Sequence, residues 1–296
     1  MIAKKNLIWF LIISFGLAWI LFLLPITFGE PGTQARQIAS MICWALAMWM
    51  PGIAALLVTH FVAKESLSTL NLRSLGRKRF YLWAWLLPTA FSIAAGLLTL
   101  AFGAGQLDLE FTIIREAMAQ IPDEQAISPI LAFTLQAIFA FTLAPLINTL
   151  FALGEELGWR GFLLPQLLPM GQRKAIVLSG AIWGLWHAPA VLQGLNYPGT
   201  PILGVFLMII FCMLMGTVFS WLYLETRSPW APALAHGTLN AVAGIPLVLL
   251  ADINLSVGGS ITSPIGWIPL ALFVGWLIWT KRLPVKTEPE EGICSE

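Results

Sequence analysis

Charge is what this sequence has least of. Only 10% of its 296 residues are Asp, Glu, Lys or Arg, while 58% are apolar, and the mean hydropathy is +0.83. An average soluble domain carries about 25% charged residues, so 16 basic and 15 acidic side chains could not cover a soluble surface of this size. A disordered chain needs the opposite balance, low hydrophobicity and high charge, and is excluded. A net charge of +1 offers no general attraction for phosphate, which argues against nucleic-acid binding. Cysteine is also scarce: Cys43, Cys212 and Cys294 show no CxxC spacing, hence neither a disulfide framework nor a zinc site of that kind. Cys294 stands third from the end rather than fourth, so no prenylation box is expected.

What is abundant is apolar sequence in runs near the ~20 residues that cross a bilayer. These runs fall at about 7–28, 38–63, 80–103, 129–158, 175–192, 201–224, 230–251 and 265–280. They are apolar all round, without the alternation of a β-barrel strand. The first lacks a small-residue cleavage site after it and reads as a true span rather than a signal peptide. The expected fold is therefore all-α, a polytopic transmembrane helical bundle of about eight spans with both termini cytoplasmic. The placement of charge supports that alternation. One side receives Lys4, Lys5, Lys64, Arg73, Arg77, Lys78, Arg79, Arg160, Arg173, Lys174, Arg227, Lys281, Arg282 and Lys286; the other receives only Arg36 and Arg115. Such asymmetry marks the first side as cytoplasmic. The longest outer loop, 104–128, carries Asp108, Glu110, Glu116, Asp123 and Glu124.

Few ionisable residues stand inside the spans. Burying one in hydrocarbon costs at least ~2.5–3.5 kcal/mol on insertion scales, so the exceptions are candidates for function. Glu156 and Arg160 lie four apart, acid first, the better order for a helical ion pair. Glu155 is turned about 100° from Glu156 and need not share that arginine. Both glutamates could instead rest at the cytoplasmic end of span four. His187 shares a helical face with Gly180 and Gly184, and small residues mark packed faces in membranes. His236 and Asn240, four apart in span seven, project together and suit two donors aimed at one oxygen. Inter-helix hydrogen bonding is the simpler use of each histidine. His60 and most of the 14 tryptophans read as interfacial or packing residues. With Glu155 placed near the inner surface, the set is expected to form a site open toward the cytoplasm.

These residues resemble the motifs of the CPBP family, the CAAX-protease and bacteriocin-processing (Abi) membrane proteases. EExxxR is matched by Glu155, Glu156 and Arg160; FxxxH by His187, with Trp183 in place of phenylalanine; HxxxN by His236 and Asn240. The resemblance covers roughly 129–245, leaving 1–128 as spans one to three and 246–296 as the end of span seven, the last span and a tail expected to be disordered. It implies an intramembrane endopeptidase that acts on a membrane-associated or lipidated peptide in a prokaryotic cytoplasmic membrane and needs no metal. By resemblance, Glu155 with His187 activates water, His236 and Asn240 hold the oxyanion, and Glu156 and Arg160 brace the helix. The residue types permit this chemistry: a partly desolvated carboxylate is a competent general base. Two rival readings stay open. Glu155, His187 and His236 could bind zinc, or the buried carboxylate could serve a transporter or a bacteriocin-immunity protein.

Overall fold

The computed structural model describes residues 3–119 and 127–285. Asp123, Glu124, Lys286, the acidic tail cluster Glu288, Glu290 and Glu291, and Cys294 lie outside the described residues, as does most of the tail expected to be disordered.

The described chain is helical nearly throughout. In order come α1 (Lys4–Leu23) with a 3-10 turn (Leu24–Phe28), α2 (Gln34–Ala47), α3 (Met50–Leu57) and α4 (Phe80–Ala101). A two-residue strand β1 (Gln106–Leu107), α5 (Thr112–Met118), α6 (Pro129–Phe141) and α7 (Leu143–Glu156) follow. The chain then winds through a π-helical segment (Leu157–Leu163) into α8 (Leu164–Leu167). The rest is α9 (Gln172–Trp186), α10 (Ala188–Leu192), α11 (Pro201–Thr226), α12 (Trp230–Val242), β2 (Leu250–Ala251) and α13 (Trp267–Trp279).

Every apolar run read from the sequence is helical, but not every one is long. Among the described residues, five helices are long and apolar enough to cross a membrane: Lys4–Phe28, Gln34–Ala63, Phe80–Ala101, Pro201–Thr226 and Trp230–Leu249. The pair Pro129–Phe141 and Leu143–Met170, bent by 50°, makes a sixth if counted as one span. The fifth and eighth expected spans rest on the shorter helices α9, of 15 residues, and α13, of 13. Pro189 accounts for the first shortfall: it has no N–H to bond the Leu185 carbonyl, so the helical ladder breaks there and the chain restarts as the single turn α10.

The loops gather at two ends. At one end Arg77 pairs with Glu225 at 3.3 Å, Ser228 donates to the Ser74 carbonyl, and Gln172 donates to the Val285 carbonyl. At the other, β1 pairs antiparallel with β2, Tyr197 donates to the Thr262 carbonyl, and Gln193 donates to the Phe22 carbonyl. The first end carries the basic loops 64–79, 171–174 and 281–285, as the charge pattern requires.

Close backbone approach holds the centre together. A Cβ on Gly154 would lie 2.6 Å from the Trp49 Cα, and one on Gly184 2.5 Å from the Ile209 Cα. Glycine is therefore required where α7 crosses the start of α3 and where α9 lies on α11. These are the small-residue contacts expected for membrane helices.

Candidate active site

The helix bearing the paired glutamates does not stop at 158, where the apolar run ends. It continues to Met170, while His236, which bonds Glu156, lies only six residues, about 9 Å, past the start of α12 at the basic end. The expected end of span four at 158 is thereby corrected. The physical reason is Arg160, which reads as a loop residue by charge but is buried, with its Nη1 2.8 Å from Glu156 Oε1. Each charge makes the other tolerable, and the span can run through both. Removing one partner of such a pair typically costs ~3–5 kcal/mol, because the other is left uncompensated.

At this depth the sequence-predicted residues meet. Glu156 Oε1 accepts a second hydrogen bond, from His236 Nδ1 at 2.9 Å, bridging α7 and α12 across 80 positions of sequence. Glu155 does not share the arginine. Its Oε2 accepts the indole N–H of Trp183 at 2.6 Å, and it is 2% exposed. His187 caps α9 and places its Nδ1 2.9 Å from the Trp183 carbonyl. Trp183 is the hub of the arrangement: its ring lies 5.6 Å from that of His187 and 5.3 Å from that of His236, and the Arg160 guanidinium sits 4.5 Å above it. Phe219 stacks on the other side of His236.

The hydrogen bonds assign the protons. A carbonyl or carboxylate oxygen can only accept, so Nδ1 carries the hydrogen in both His187 and His236. Each ring is left with Nε2 as its free atom.

Glu155, Trp183, His187, His236 and Asn240 line one cavity of about 520 Å³. All four residues expected to be catalytic are among them, and the two supporting residues lie directly behind, buried. Sequence reading treated Trp183 only as an aromatic near the site; its N–H was the available signal, since phenylalanine has none. The expected opening toward the basic end is not what the cavity shows. Its far walls are Phe22, Leu195, Asn196, Gly244 and Thr262, which belong to the opposite end. Toward the basic end, Trp159, Phe162, Leu163, Phe219, Trp221 and Leu222 are buried and fill the space.

Fold and site together define a helical membrane protein with a carboxylate, two imidazoles and an amide facing one cavity. Residues 130–242 match the family model described as Type II CAAX prenyl endopeptidase Rce1-like, in agreement with the resemblance carried by the three motifs. The match spans all three motifs and supports, in general terms, an intramembrane CAAX-type endopeptidase. No curated protein matches the chain.

Proposed function

We propose that the protein hydrolyses a peptide bond of a membrane-associated or lipidated peptide by glutamate-dependent activation of water. The observation that carries this reading is Glu155, a carboxylate with only an indole donor, held in the same cavity as the free Nε2 atoms of His187 and His236. Glu155 and His187 Nε2 are the two acceptors able to take a proton from water there. General-base assistance of this kind contributes ~10²–10⁴ in rate.

His236 Nε2 and the Asn240 amide are the donors for the oxyanion. His236 donates through Nε2 only when its ring carries both protons, since Nδ1 already bonds Glu156.

Glu155→Gln preserves the shape and can still accept the Trp183 N–H, but cannot take a proton. Reconstituted in vesicles with a fluorogenic lipopeptide, it should lose ~10²–10⁴-fold in turnover with an unchanged unfolding profile. Turnover near that of the unaltered protein would sink the general-base role.

One observation favours a second reading. Imidazoles that bond an oxygen through Nδ1–H and present Nε2 are oriented as metal ligands usually are. Against it, no three His, Cys, Asp or Glu side chains among the described residues are arranged to hold a metal ion. Exhaustive treatment with a membrane-permeant zinc chelator decides: activity is expected to persist, and stoichiometric zinc lost and regained together with activity would establish the metal.

A further inference from the structure

The cavity's orientation conflicts with the direction from which the residues suggest substrate arrives. By the positive-inside rule, the end carrying the basic loops is cytoplasmic. Removing buried Arg160 from that tally leaves the asymmetry intact, since Arg36 and Arg115 are the basic residues of the opposite end. Yet the cavity reaches that opposite end. Its α11 lining, Met208 to Cys212, lies within about 16 Å of Pro201 by helical rise. The cytoplasmic half is packed with buried aromatic and aliphatic side chains and offers no passage.

The side wall points to a route. On one side it is α2, through Met41, Trp44, Ala45 and Met48; on the other it is the end of α12, through Leu239, Asn240, Ala243 and Gly244. α2 packs on α1 and on the turn Leu24–Phe28, tied by the Trp44 indole to the Phe22 carbonyl at 3.3 Å. Met41, Asn240 and Gly244 are exposed, so the two walls do not close on each other. Met41, Met48 and Met208 give the cavity soft, adaptable apolar surface, which accepts varied side chains. A second groove begins at Met41 and Trp44 and runs out past Arg36, Gln37, Ser40 and Gln193, all polar.

We infer that the substrate is an apolar peptide segment lying in the extracytoplasmic leaflet, entering between α2 and α12 with its polar flank in the groove along Arg36, Gln37 and Ser40. The inference rests on the endopeptidase reading for what happens to the segment, but not for where it binds.

Two measurements test it, and neither needs turnover. In a background lacking Cys43, Cys212 and Cys294, Asn196→Cys and Ser40→Cys should react with an impermeant maleimide in right-side-out vesicles, and Lys281→Cys only in inverted ones. Reaction of Asn196→Cys and Ser40→Cys in inverted vesicles alone would overturn the orientation. For the route, a benzophenone maleimide on Met41→Cys in the Glu155→Gln variant should crosslink a vesicle-embedded Leu/Ala peptide of about 20 residues with a polar flank. Crosslinking should exceed that from Leu82→Cys, a lipid-facing position on α4, by at least about tenfold. Equal crosslinking at the two positions overturns entry between α2 and α12. Failure of the endopeptidase reading shows separately, as unchanged turnover in Glu155→Gln.

Discussion

Trp183 shows how much one atom can matter. Its ring would pack equally well as phenylalanine between the two imidazoles, but only the indole donates to Glu155. Trp183→Phe should therefore keep the fold and leave a buried carboxylate oxygen without its donor, at a cost of about 1–3 kcal/mol. Denaturant unfolding in detergent measures this, and the loss should shrink when Glu155 is already glutamine, because the two residues are coupled. An equal loss in both backgrounds would mean the tryptophan acts through packing alone. At this scale the sequence was informative where partners are close along the chain: spacing alone pairs Glu156 with Arg160. It was silent on the bond from Glu156 to His236, because contacts between helices leave no local pattern. For the same reason Glu156 reads as a brace for its own helix, whereas it also orients the imidazole facing the cavity.

Among the elements, the helix through the site was the one misjudged. A charged residue usually ends an apolar run, and Arg160 was read that way. An internal counter-ion let the helix continue through a π-helical segment, a geometry often found at functional sites. Gly180 and Gly184 were legible as packing positions but not their partner, which is α11; Gly154 meets the start of α3. Gly154→Ala would push a methyl to 2.6 Å from the Trp49 backbone, whereas Gly16 has open space around it. The first substitution should destabilise by about 1–3 kcal/mol through overpacking. Gly16→Ala should not lower stability; thermal unfolding of the two variants side by side gives the comparison. Equal melting of the two would show that α7 and α3 can separate without loss.

For the whole molecule, helical membrane architecture followed from scarcity of charge, and the sorting of loops into two ends followed from where the charges fall. The number of full-length spans did not follow, because hydropathy records apolar length and not where a helix breaks. The bend between α6 and α7 and the stop at His187 depend on local geometry. Cysteines placed at Arg73 and at Met118 should label from opposite faces of the membrane; labelling from one face would break the alternation between them. The direction of the cavity was the least accessible feature in the sequence. It depends on which half of the bundle is filled by side chains, and contacts between helices leave no local pattern in the sequence.

The filled half has an electrical consequence. In the orientation proposed above, water that reaches Glu155 would bring the potential of its own side into the bundle, and most of the transmembrane voltage would drop across the buried layer of Trp159, Phe162, Phe219 and Trp221. Moving a unit charge through a full 100 mV drop is worth about 2.3 kcal/mol. A proton travelling between Glu155 and the water of its cavity crosses little of that drop. The proposed hydrolysis would then run in an energised membrane at a rate nearly independent of voltage, while the aromatic layer would keep the same protons from leaking through.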